Sequence, residues 1–142
     1  MAFTESIKEH IKKTIASKEK QYSAIGTLIS TVIMLTPLCG LLFQCGCDWP
    51  WFGLDTKCNF YKADVEHQCP WCTSLMTGIL STGLAIISGV WASIVYLCPA
   101  TNQHAANEVL MRIVFGGTVF VLVAILTAGL AASWQGYPAG IG

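Results

Sequence analysis

From residue 67 to residue 142 the chain carries two charged residues, Glu108 and Arg112. A water-soluble core has no need of so long a stretch without charge, whereas a bilayer does, because ionised side chains are costly in hydrocarbon. Charged residues make up 11% of the sequence, less than half the soluble average of about 25%. Mean hydropathy is +0.57. Three apolar segments run from about 24–43, 73–97 and 109–134. At about 1.5 Å rise per residue, each is long enough to cross a hydrocarbon core of about 30 Å. The predicted fold class is all-α membrane: a three-transmembrane-helix bundle with a cysteine-rich extracytoplasmic loop and a short N-terminal amphipathic arm.

Residues 1–22 form a lysine-rich arm, with Lys8, Lys12, Lys13, Lys18 and Lys20. Phe3, Ile7, Ile11 and Ile15 recur every fourth position, which on a helix makes one narrow apolar stripe suited to the headgroup region; a solvated basic tail that only sets topology is the alternative. Residues 23–142 form the membrane domain, with the loop 45–72 between its first two spans. Five lysines precede the first span and Arg112 opens the third. The loop has only Lys57 and Lys62, offset by Asp48, Asp55, Asp64 and Glu66. Positive charge accumulates on the cytoplasmic side. The expected location is therefore a bacterial-type inner (plasma) membrane, N-terminus in the cytoplasm and C-terminus outside. Tyr22, Trp71, Tyr96, Trp134 and Tyr137 fall near span ends, where amphipathic rings settle at the interface. Pro37 lies inside the first span and is expected to kink it. Glu108 and Arg112 are an i,i+4 pair expected to anchor the inner end of the third.

Small residues line the second span. Ser81, Ala85, Gly89 and Ser93 are four apart, as are Ser74, Gly78 and Thr82. The third span has Gly116 and Gly117, then Ala124, Ala128 and Ala132. Such spacing lets helices approach closely. Two small faces on one helix suggest that Ser81, Ala85, Gly89 and Ser93 serve a partner helix, with ordinary packing inside the chain as the equal alternative. Lipid is the other predicted partner. Net charge is zero, which gives no long-range field for nucleic acid.

The loop holds five of the seven cysteines. Cys45, Cys47, Cys58, Cys69 and Cys72 lie there, and Cys39 in the outer half of the first span supplies a sixth. Outer-face cysteines tend to pair, so these six are disulfide candidates, with fifteen possible connectivities. A bridge between the Cys45/Cys47/Cys58 group and the Cys69/Cys72 pair would staple the two span ends. Cys98, at the inner end of the second span, reads as a buried thiol outside the bridges. A second reading takes Cys69-Pro-Trp-Cys72 as a working redox pair. Pro70 suits the first helical position, and a helix start favours thiolate at Cys69. Cys69 is then the nucleophile, Cys72 the resolving thiol and His67 a proton donor or acceptor. A third reading is a metal site from Cys45, Cys47, Cys58, His67, Cys69 and Cys72. Its spacing is poor beside paired C-x-x-C knuckles, so no metal ligands are assigned. Thr73 after Cys72 rules out a C-x-x-C-H haem motif.

The C-x-x-C at a span end with further cysteines in an outer loop loosely resembles the quinone-coupled membrane disulfide oxidoreductases. The resemblance covers the topology around one motif. It implies quinone as a cofactor of the redox reading, although that family holds quinone in four helices and this chain offers three. No cofactor is predicted from the residues themselves. The leading expectation is a small, non-catalytic accessory or docking subunit of a larger electron-transfer-type membrane complex, with a disulfide-braced loop. A thiol–disulfide oxidoreductase using Cys69 and Cys72 is the alternative.

Overall fold

The computed structural model describes residues 18–46, 68–96 and 105–137. These are helical, without strands, and form four elements: α1 (Lys18–Phe43), α2 (Pro70–Thr73), α3 (Leu75–Val95) and α4 (Ala105–Trp134). Three of them, α1, α3 and α4, are long and apolar enough to cross a membrane. The amphipathic stripe of the N-terminal arm, Cys47, Cys58, His67, Cys98 and most of the expected outer loop lie outside the described residues.

α1 begins at Lys18, several residues before the expected span, and continues without a break through Pro37. The C-x-x-C motif does not open the second long helix. Pro70 does take the first helical position, but α2 ends after four residues. Ser74 turns extended at φ −121° and ψ 110°, and its hydroxyl accepts the Thr77 N–H at 3.4 Å to cap α3. A serine that bonds the backbone two or three residues on competes with helix continuation, which is why the break falls there.

The three long helices make an up-down-up bundle in which α3 and α4 pack most extensively and α1 lies against both. They meet at Gly116. A Cβ on that residue would lie 2.7 Å from the Gly89 carbonyl oxygen, 2.9 Å from the Ser93 Cβ and 2.9 Å from the Thr27 Cγ2. This corrects the partner expectation. Ser81, Ala85, Gly89 and Ser93 are buried within the chain's own bundle, and the close approach they allow is to α4 and α1. The second small face is also used, because Gly78 packs under the Trp71 backbone carbonyl. α4 contributes Ala124, Ala128 and Ala132, all buried. α1 brings a stripe that the sequence reading passed over, Ser23, Thr27 and Thr31, each at most 1% exposed. Ser23 and Thr31 donate their hydroxyls to the Glu19 and Leu28 carbonyls at 2.7 and 2.9 Å. These two hydroxyls stay paired while the contact stays thin, whereas the buried Thr27 Oγ1 has no hydrogen-bond partner among the described residues.

The outward faces carry large aliphatic groups such as Ile29, Met34, Leu84, Ile87, Leu126 and Leu130. With small residues inside and large ones outside, the packing is that of helices in lipid rather than of a water-soluble core. The end where α3 stops and α4 starts is closed by Arg112. Its guanidinium binds Glu108 at 2.7 and 3.0 Å and donates to the Ser93 and Ile94 carbonyls, each at 3.3 Å. Tyr96 packs on Phe115 at the same end, with ring centroids 4.7 Å apart.

Candidate functional site: a thiol cluster at the other end

At the end of α1 the chain reverses sharply. Gln44 adopts φ 50° and Gly46 φ 75°. The left-handed conformation is routine for glycine and uncommon for glutamine. The reversal brings Cys45 back beside Cys39, which sits one turn before the helix end. The Cys45 thiol donates to the Cys39 carbonyl at 3.6 Å, and the two sulfurs are 3.6 Å apart. Cys69, at the N-terminal cap of α2, places its sulfur 3.4 Å from that of Cys39. All three sulfurs lie within 4.8 Å of one another. Cys39, Cys45 and Cys69 are 6%, 1% and 0% exposed, and Cys72 on the same short turn is exposed.

The last residues described on α4 lock this arrangement. Gly136 takes φ 64°, its N–H bonds the Ser133 carbonyl, and the Tyr137 N–H reaches the Ala132 carbonyl at 2.9 Å. This is a Schellman ending, which redirects the chain across the bundle end. Tyr137 then donates its hydroxyl to the Phe43 carbonyl at 2.8 Å, and the Gln135 amide donates to the Pro70 carbonyl at 2.9 Å. Both bonds tie down the stretches that carry the cysteines. Phe43 stacks edge-on to Trp71 and Tyr137, with centroids 5.3 and 5.8 Å away. Trp71 and Tyr137 therefore act as packing groups here. Trp71 is only 7% exposed, unlike the interfacial anchor expected of it, whereas Trp134 is 92% exposed.

Two expectations about the cysteines are corrected. Bridges were expected, and the sulfurs do gather, yet no pair among the described cysteines is at bonding distance. Separations of 3.4 and 3.6 Å compare with about 2.05 Å for a disulfide. The helix start was also expected to favour thiolate at Cys69. Instead, hydrogen bonding with Cys39, then Cys45 and Cys72, followed by burial, pushes the Cys69 thiol well above its ordinary value. A one-turn helix offers little compensating dipole, so negative charge on this sulfur needs a cation or a proton close by.

Of the residues considered for a metal, the structure brings together Cys45 and Cys69, adds Cys39, which that set omitted, and leaves Cys72 alongside. The turn at Gln44 gives no sequence signal, since glutamine is not a residue that marks a left-handed position. The clamp was more legible, because W-Q-G-Y-P places glycine just past a helix end and proline two residues later. Compared with known protein families, curated proteins and solved structures, the chain matches none.

Proposed function

We propose that this chain is a non-catalytic accessory subunit of a larger membrane complex, and that its bundle serves to hold the segment 46–68 at one membrane face. The narrowing to an electron-transfer type of complex stands on the thiol content alone. One observation carries the proposal. Cys45 and Cys69 lie within 4.8 Å of each other, so the segment between them leaves and returns at one point of the bundle. Pinning both ends lowers the ordering cost of a segment that has to meet a partner. That segment contains Trp49, Trp51 and Phe52, aromatic residue types enriched at protein contacts. Among the described residues the long helices carry no charged side chain between the bundle's ends, since Lys18, Glu19, Lys20, Glu108 and Arg112 lie at one of them. The lysine count supports an outer-side position for the segment, with the N-terminus in the cytoplasm, in a bacterial-type inner membrane as the proposed setting.

Replacing residues 47–67 by a Gly/Ser linker of equal length tests the reading. The parent is expected to migrate in a large species on native gels; the variant should still insert and unfold as the parent does but run only as the small chain. A variant that keeps its place in the large species would refute the docking role.

One observation favours a second reading, a thiol–disulfide oxidoreductase with quinone as electron acceptor. Exposed Cys72 stands beside the buried sulfurs of Cys69, Cys39 and Cys45, which form a chain of short steps. In this reading a Cys69–Cys72 disulfide takes two electrons from a substrate dithiol, which becomes a disulfide, and the resulting thiols hand the electrons on to quinone. Cys72, as the accessible member, is the sulfur a substrate would meet, rather than Cys69. Cys69→Ser should then leave Cys72 trapped in a mixed disulfide, and no trapped species should form if the chain is purely structural.

A further inference from the structure

We propose that Cys39, Cys45 and Cys69, completed by Cys72, form a binding site for one thiophilic divalent ion of filled d shell, Zn2+. The site does not depend on the accessory-subunit reading. Three sulfurs from two stretches of chain, the reversal at the end of α1 and the start of α2, converge with separations of 3.4 and 3.6 Å and none beyond 4.8 Å. Sulfurs around a tetrahedral zinc with Zn–S of about 2.3 Å stand about 3.8 Å apart. The spacing is thus near what a shared ion requires and well beyond what a covalent bridge requires. Cys72 follows Cys69 in a C-x-x-C turn, the usual way for two adjacent thiols to reach one zinc. Their donor set of sulfur alone excludes calcium and magnesium, which take oxygen.

Charge separates zinc from the other soft ion, copper(I). Binding releases one proton from each thiol and changes no oxidation state. Three thiolates with Zn2+ leave a net −1, whereas with copper(I) they leave −2, and buried charge is costly. Adding exposed Cys72 brings the zinc site to −2 with the extra charge on the solvent side. The Trp71 indole N–H, buried and without an acceptor among the described residues, lies on the same turn. Burial of the three sulfurs also hinders the oxidation that an outer-face thiol otherwise meets.

The full chain, purified in detergent without added metal, should contain one zinc per chain by elemental analysis. After exchange with Co2+ it should show intense sulfur-to-metal charge transfer and the visible bands of a tetrahedral site. Losing even an outer-shell partner lowers metal affinity by about 10–100-fold. Cys39→Ser, Cys45→Ser or Cys69→Ser should therefore each lower zinc affinity at least that much, while Cys98→Ser retains it. Cys72→Ser should keep a weaker site with an altered cobalt spectrum. Should the serine variants fail to fold, the parent chain still decides. A chelator should make Cys39, Cys45 and Cys69 reactive to alkylation, and zinc should protect them again. Three results overturn the site: full zinc retention in Cys39→Ser, thiol protection indifferent to chelation, or a metal-free chain with Cys39 or Cys69 in a native disulfide. The last would also speak for the oxidoreductase.

Discussion

Arg112 shows how one side chain can serve two helices. Its ion pair with Glu108 is partly exposed, with 36% of the Glu108 side chain open, so screening reduces the pair to the range of about 0–1 kcal/mol. Its bonds to the Ser93 and Ile94 carbonyls matter more, because they satisfy backbone acceptors left over where α3 ends. Charge-assisted bonds of this kind are worth about 1.5–3 kcal/mol. Arg112→Ala is thus expected to cost about 2 kcal/mol in an SDS-titration unfolding assay, and Glu108→Gln well under 1 kcal/mol. Equal losses would show that the ion pair, and not the carbonyl contacts, holds this end. The pair itself was legible from its i,i+4 spacing, whereas the carbonyls lie 18 and 19 residues away in sequence, where no local pattern reaches. Cys39 repeats the lesson. It was visible as a possible sixth cysteine, but its place at the centre of the cluster depends on the left-handed Gln44. At the other end, Tyr137→Phe keeps both ring contacts and removes only the hydrogen bond to the Phe43 carbonyl, costing about 1 kcal/mol. Its clearest readout is faster alkylation of Cys45, the residue that follows that carbonyl by two positions.

Among whole elements, the number, type and approximate limits of the long helices were readable, because apolar length is a one-dimensional property. Which face meets which neighbour was not. Two small faces on the second span are one too many for a three-helix chain only while α1 is left out. Ser23, Thr27 and Thr31 give α1 its own thin face, and α2 folds back to occupy Gly78, so both are used internally. A glycine on α3 and one on α4 separate the two cases. A Cβ at Gly89 would lie 2.8 Å from both the Gly116 carbonyl oxygen and the Phe120 Cβ, while one at Gly117 meets nothing within 4 Å. Overpacking a tight contact costs about 1–3 kcal/mol, and helix propensity favours alanine over glycine by up to about 1 kcal/mol. Gly89→Ala should therefore destabilise by about 1–2 kcal/mol. Gly117→Ala should be neutral or stabilising by up to about 1 kcal/mol. Unfolding titrations of the two variants side by side check this, and a destabilised Gly117→Ala would mean that another surface covers that face.

For the whole molecule, contacts fix which groups share an end, and charge is needed to assign the sides. The end with Cys39, Cys45, Cys69 and Cys72 also holds Gln135 and Tyr137, as the bonds from these residues to Pro70 and Phe43 require. Glu108 and Arg112 lie at the other end, beside the last turn of α3, and the start of α1 shares it, since Lys20 and Ile94 line one groove. Three spans, the number found among the described residues, would put the start of α1 and the end of α4 on opposite sides of a membrane. Lys18 and Lys20 therefore accompany Arg112, while the thiol cluster accompanies the C-terminus. Positive charge stays in the cytoplasm, and moving such a charge to the centre of a bilayer costs about 2.5–3.5 kcal/mol per residue on insertion scales. Reporter fusions after Lys20, within 99–107 and at Gly142 are accordingly expected to read inside, inside and outside. A membrane-impermeant thiol reagent added to intact cells provides an independent check. With an impermeant chelator present to remove bound zinc, it should label exposed Cys72 and leave Cys98 untouched until the membrane is breached. The reverse pattern would put the thiol cluster in the reducing cytoplasm. The oxidoreductase would then lose its oxidising surroundings, while a zinc site of the same geometry would remain chemically at home.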